Sequence, residues 1–171
     1  MKRRAWIAVG GVGALAAASG AGLAWWRSVR EEDSALWSLE FPTPDDTRLR
    51  LSEFRGRPLL INFWATWCAP CVREMPALDR FARDHEALGW SVVGLAIDNQ
   101  AQVRDFLRKV PVTYAVAIAG FSGTQLAREL GNPQGGLPFT VALDAKGRPA
   151  WRHLGETTYE QLAEAARASQ P

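Results

Sequence analysis

The chain has 171 residues, 47% of them hydrophobic and 22% charged, with a formal net charge of +2. That length suits one domain of roughly 135 residues after an N-terminal segment. From residue 36 onward basic and acidic side chains balance at 15 each, which excludes the clustered excess of Lys and Arg that a nucleic-acid surface needs. Two cysteines exclude both a disulfide framework and a zinc site built on four thiolates.

Met1-Lys2-Arg3-Arg4 precedes 22 uncharged residues, Ala5 to Trp26. As a helix these would span about 33 Å, the thickness of a hydrocarbon core. Residues 1–27 are therefore predicted to be a signal anchor or a signal peptide. Trp6, Trp25 and Trp26 at the two ends favour the anchor, whereas Ala14-Leu15-Ala16 and Ala16-Ala17-Ala18 offer sites for cleavage. Under both readings the domain leaves the cytoplasm, as a single-pass membrane protein facing the periplasm or as a soluble periplasmic protein.

Residues 28–35 form a linker into a domain at 36–171. Residues 36–41 and 48–51 flank Pro42-Thr43-Pro44-Asp45-Asp46 and predict a β-hairpin with a long turn; Ser52 would cap a short turn through Phe54. Leu59 to Trp64 is an apolar strand. A helix follows from about Pro70 to Leu88, kinked at Pro76, which lacks the N–H of a helix interior, and closed by Gly89. Then come a strand at 90–97, a helix at 101–109, a strand at 114–118, a helix at 123–130, and two strands at 139–143 and 150–154 around Asp144-Ala145-Lys146-Gly147. Thr157 or Thr158 caps a last helix, with Gln161 placed for a capping box. Strands alternating with helices, then a hairpin and a helix, give an α/β sheet with helices on both faces.

Cys68-Ala69-Pro70-Cys71 follows the apolar strand and opens the helix. Unpaired N–H groups at a helix start favour thiolate over thiol at Cys68, and the thiolate is the species that attacks disulfides. Cys71, one turn on, is placed to resolve a mixed disulfide. His85 and His153 show no zinc spacing. A structural disulfide would close too short a loop to remove much unfolded-state entropy.

The stretch Asn62-Phe63-Trp64-Ala65-Thr66-Trp67-Cys68-Ala69-Pro70-Cys71 resembles the thioredoxin superfamily active site. The leading hairpin, the Cys-x-Pro-Cys-x-x-Glu-x-Pro run from Cys68 to Pro76, the extra strand–helix unit at about 90–110 and Leu137-Pro138 before a strand are similar to its TlpA-like, membrane-tethered extracytoplasmic branch, over roughly residues 36–168. The resemblance implies a thioredoxin fold, a central mixed β-sheet flanked by helices, and thiol–disulfide exchange through Cys68–Cys71 with no other cofactor and no metal.

It further implies that Cys68 is the exposed attacking thiol, that Pro138 is a cis-proline opposite the cysteines, and that the backbone at Leu137 pairs with the client. Trp67 would line the substrate groove beside Ala69 and Pro70, which tune the thiolate, while Trp64 packs beneath. Asn62 stands where thioredoxin has a buried aspartate and cannot carry a proton. Glu74 is the corresponding candidate to take the proton of Cys71; on spacing alone it could equally be a solvated helix glutamate.

The implied partners are client proteins with disulfides, such as apocytochrome c or metallochaperones, a membrane thiol as electron donor, and the membrane itself through the N-terminal segment. Reduction leads, with oxidation or isomerisation as the alternative. A copper-binding module is weaker, because carriers on this fold use a longer cysteine spacing and a partner histidine.

Overall fold

A computed structural model describes residues 35–169. The anchor or signal at 1–27, and the linker at 28–35 apart from its last residue, lie outside the described residues. No helix among the described residues is long and apolar enough to cross a membrane. The compact domain begins at Ser38; before it, residues 35–37 form one helical turn rather than the start of the predicted hairpin strand.

The hairpin is shorter than its alternating pattern suggested. Strand β1 (Glu40–Pro42) pairs antiparallel with β2 (Arg48–Arg50), with Phe41 opposite Leu49. Its turn is closed by the Thr43 and Thr47 hydroxyls, 2.7 Å apart, and by Asp46 in the left-handed region at φ 63°. A 3-10 turn follows at Leu51–Phe54; Ser52 lies inside it, and no side chain caps it.

The main sheet has the order β5-β4-β3-β6-β7. At its centre lies β3 (Leu59–Trp64), every residue of it buried. It runs parallel to β4 (Ser91–Ala96), which is parallel to β5 (Ala115–Ile118). On its other side β6 (Phe139–Leu143) and β7 (Pro149–Leu154) are antiparallel. A strand covered on both faces has no polar side to show, so β3 reads as a continuous apolar run broken only by Asn62.

Helix α1 (Ala69–His85) joins β3 to β4, and α2 (Gln100–Leu107) joins β4 to β5. Leu60, Trp64, Val92, Val116 and Ala142 of the sheet form one buried cluster with Cys71, Met75, Leu78 and Phe81 of α1, Val103 of α2, and Leu162 and Ala165 of α4 (Tyr159–Ala168). Buried Leu126 and Ala127 of α3 (Gly120–Glu129) lie outside that cluster; Phe63 and Phe139, odd-numbered partners in the register, stack at 5.9 Å away from it as well.

Helix α1 ends at His85, short of the predicted Leu88. The chain tightens into a 3-10 turn at Glu86–Leu88, and Gly89 at φ 84° then takes the left-handed conformation that costs a glycine least. The helix continues through Pro76, which stands exposed. Helix α3 starts at Gly120 instead of Gly123. The Ser122 hydroxyl donates to the Ala119 carbonyl at 2.7 Å, which supports the earlier turn. A Cβ on Gly123 would lie 2.6 Å from the Ala119 methyl, so this glycine serves close packing rather than a helix end. The last helix is capped by Thr158 with the full capping box to Gln161, which leaves Thr157 free for another partner.

Candidate active site

Four residues, 65–68, connect the end of β3 to the start of α1. Cys68 is the N-cap in extended conformation (φ −90°, ψ 97°), with no side-chain cap on the helix. Its N–H donates to the Ala65 carbonyl at 3.2 Å, and its carbonyl accepts from Val72. Pro70 falls in the first turn, where a missing N–H costs nothing. Cys68 and Cys71 are joined by a disulfide, with Cα atoms 5.3 Å apart.

Cys68 does not stand exposed. It keeps 6% of its surface and Cys71 none. Bonded to Cys71, Cys68 is drawn into the cluster that holds Leu60 and Trp64. The exposed neighbour is Trp67, at 69%; Ala69 is exposed and Pro70 half-buried. Trp64 is fully buried and tilted against Phe106 at 5.5 Å.

The Leu137–Pro138 peptide is cis. Phe139, the next residue, is in register with Phe63, so the cis peptide lies at the same end of the sheet as the redox turn. Leu137 is half-buried.

Glu74, one turn beyond Cys71, is 1% exposed, which removes the reading as a solvated surface glutamate. Its Oε1 accepts from the Asn62 amide at 2.7 Å. Its Oε2 accepts from the Thr157 backbone N–H and hydroxyl, both at 2.7 Å. The Asn62 amide also donates to the Thr140 hydroxyl at 3.0 Å.

Burial pushes the Glu74 carboxyl above its ordinary value; the hydrogen bonds from Thr157 and Asn62 pull it back, and the nearby Glu156 carboxylate adds to the rise. Glu156 itself is held at the surface by Arg73, at 2.6 Å. A buried carboxyl with a raised proton affinity, next to a buried cysteine, can store the proton that a thiol must lose before it attacks.

Three participants escaped the sequence reading. Thr157 was visible only as a cap. Thr140 is a single hydroxyl within an apolar strand, directly opposite Asn62 in the register; that pairing of polar residues in two core strands was its signal. Asp98, just past the end of β4, accepts the Thr66 N–H at 3.1 Å and the Thr66 hydroxyl at 2.5 Å. Among the described residues no group of three or more His, Cys, Asp or Glu side chains is placed to hold a metal ion. His85 stacks on Phe81 and His153 on Trp151.

A mixed sheet that delivers a Cys-x-x-Cys to the start of its first helix, with a cis X-Pro at the same sheet end, defines a thioredoxin-fold protein. Residues 31–168 match the Redoxin family, and the chain belongs to that family.

A curated relative, the thiol-disulfide oxidoreductase ResA of Bacillus thuringiensis subsp. konkukian (strain 97-27), is 30% identical over 118 residues, covering 68% of this chain and 66% of the relative. This chain spans just under two thirds of the length of the ResA relatives it matches, 65% and 66% for the first two. Among solved structures, a thioredoxin-related protein from Neisseria meningitidis serogroup B is 31% identical with a TM-score of 0.66, covering 73% of this chain and 93% of that one. A secreted thiol-disulfide isomerase from Corynebacterium glutamicum is 26% identical with a TM-score of 0.67, covering 77% and 82%.

Proposed function

We propose that this chain is a thiol–disulfide oxidoreductase that reduces disulfides in client proteins outside the cytoplasm. The observation that carries the reading is the Cys68–Cys71 disulfide at the N-terminus of α1 with the buried carboxyl of Glu74 one turn behind it. In the reduced protein the Cys68 thiolate attacks a client disulfide, forming a mixed disulfide and releasing one client thiolate. Cys71 then gives its proton to Glu74 and attacks the Cys68 sulfur. The second client thiolate leaves, two electrons have passed to the client, and the Cys68–Cys71 disulfide is restored.

Another dithiol must then reduce that disulfide. We assign this to a membrane thiol donor, with residues 1–27 keeping the domain near it or delivering it to the periplasm. In an oxidising compartment such a donor is what keeps a reductase reduced. Clients with vicinal cysteines, such as apocytochrome c or metallochaperones, fit a groove bounded by Trp67, Ala69, Pro70, Leu137 and Pro138, with Trp64 and Asn62 supporting it from below and Pro76 on the outer side of α1.

The similarity to a secreted thiol-disulfide isomerase favours a second reading, in which the same pair shuffles or introduces disulfides. The reduction potential separates the two. A value at or below about −200 mV supports the reductase, and a value near about −120 mV makes the chain a disulfide-forming enzyme.

A further inference from the structure

We propose that Asp98 is a positioning residue of the redox turn, whose carboxylate both pins that turn and opposes negative charge on Cys68. The inference rests on the exchange chemistry proposed above.

The chain between β3 and α1 is held from the end of β4 by two consecutive residues. The Ile97 N–H donates to the Trp64 carbonyl at 2.8 Å. Asp98 Oδ2 then takes both donors of Thr66, the N–H at 3.1 Å and the hydroxyl at 2.5 Å. Its Oδ1 accepts the Asn99 N–H at 2.8 Å, and Asn99 caps α2 by accepting from the Gln102 N–H at 3.0 Å. One carboxylate thus locks the redox turn to the start of the inserted helix. Thr66 has no donor left to turn elsewhere, and the residue after it, Trp67, is presented to solvent.

The donors to Asp98 are neutral, and among the described residues no cation pairs with its carboxylate. Thr66 is two residues from Cys68, which limits their Cα separation to about 7 Å. The carboxylate is one hydrogen bond from Thr66, so it lies no more than about 14 Å from the sulfur, near enough to act on it at low ionic strength, where the Debye length reaches about 30 Å. It acts against the partial positive charge of the α1 N-terminus. A less stabilised thiolate leaves the dithiol a stronger reductant, the opposite of the arrangement in a strong oxidant.

The titratable and charged groups near the turn include Glu74 on α1 and the Arg73–Glu156 pair between α1 and the segment before α4. All are unchanged in the variants below, so a difference isolates Asp98.

The test is the pH profile of Cys68 alkylation in the reduced protein at low ionic strength (about 10 mM), together with the reduction potential. Asp98→Asn keeps the size and a carbonyl acceptor for Thr66 but removes the charge. Its alkylation midpoint falls by about 0.3 to 1 pH unit, the span that Coulomb's law gives for one charge at about 10 Å between watery and protein-like screening. Above that midpoint the potential becomes less negative by about 10 to 30 mV, the same shift converted at about 30 mV per tenfold change in thiolate stability. Asp98→Glu restores the midpoint toward wild type, and Thr66→Val, which loses one hydrogen bond and keeps the charge, stays near it.

An Asp98→Asn midpoint within about 0.2 unit of wild type overturns the proposal. Asp98→Ser reads the same charge should Asp98→Asn fail to fold. These profiles need only a titrating Cys68 thiol, so they decide the role of Asp98 even if the protein fails to reduce a client.

Discussion

Glu74 and Thr157 meet across 83 residues of chain through two hydrogen bonds of 2.7 Å to one oxygen, one from the backbone N–H and one from the hydroxyl. The other oxygen belongs to Asn62. Three donors thus converge on a carboxyl that burial would rather keep protonated, and burial is the larger effect. A backbone N–H can only donate, whereas a hydroxyl can rotate to accept, and an amide can turn over. Asn62 Oδ1 has no partner among the described residues, so a turned amide could accept from the protonated acid. The site can accommodate Glu74 with or without its proton, as a proton store must.

Replacing Glu74 with Gln removes the proposed proton store without removing the shape. Client reduction is expected to slow by about 100-fold or more where deprotonation of Cys71 limits the rate, the lower range for a positioned acid–base group. Stability moves the other way. Because the folded-state carboxyl is raised above its ordinary 4.5, its contribution is fully present below that value and is lost as pH rises through the folded value. Wild type should therefore lose ground to Glu74→Gln as pH rises from 4 to 8, measured by denaturant midpoints. A difference that does not vary with pH would sink the assignment of a raised carboxyl.

Thr157→Val deletes the hydroxyl and leaves the N–H. A hydrogen bond to a charged group contributes about 1.5–3 kcal/mol, and a loss of that size is expected above the pH at which Glu74 ionises. The loss should shrink in acid, where the hydroxyl faces a neutral partner. Thr157→Ser should recover most of it. Equal losses at pH 4 and pH 8 would show that the hydroxyl does not act on the carboxylate.

The two cysteines should separate by role. Cys68→Ser should abolish reduction of insulin disulfides. Cys71→Ser should leave Cys68 able to attack and unable to be released, so a mixed disulfide with a client accumulates and is visible on a non-reducing gel. If Cys71→Ser turns over like wild type, the resolving step lies elsewhere.

The strands and helices were legible because their cues are local. The run Leu59–Trp64, the left-handed stop at Gly89 and the capping box at Thr158 each declare themselves within a few residues. One local cue failed, Ser52, which lies inside the turn it was expected to cap; other errors fell where packing decides. Helix α3 begins before Gly123, and Cys68 is covered by the cluster it joins, which no spacing reveals. The site divided in the same way. Cys68, Cys71 and Glu74 lie within two turns of one helix, whereas Thr140, Thr157 and Asp98 reach it from separate elements. Their hydroxyls and carboxylate carry no motif, and only the sheet register and the chain's return after β7 bring them together.

Gly94 offers a last check on that packing. It lies opposite Asn62 in the β3–β4 register, beneath the redox turn. A Cβ built there would be 3.0 Å from Tyr114 Cε2 and 3.1 Å from Trp64 Nε1. Both side chains are buried and cannot swing into solvent; Trp64 is also backed by Phe106. Gly94→Ala should therefore destabilise the domain by about 1–3 kcal/mol, the usual range for overpacking a filled core. Tyr114→Leu removes the ring edge that the new methyl meets, and on its own it costs about as much as other large-to-small core changes. In the double variant the two losses should fall short of additive, because each change relieves the other. Strictly additive losses would mean that the methyl is accommodated some other way, and that Gly94 is not what lets Trp64 and Tyr114 close over the sheet below Cys68.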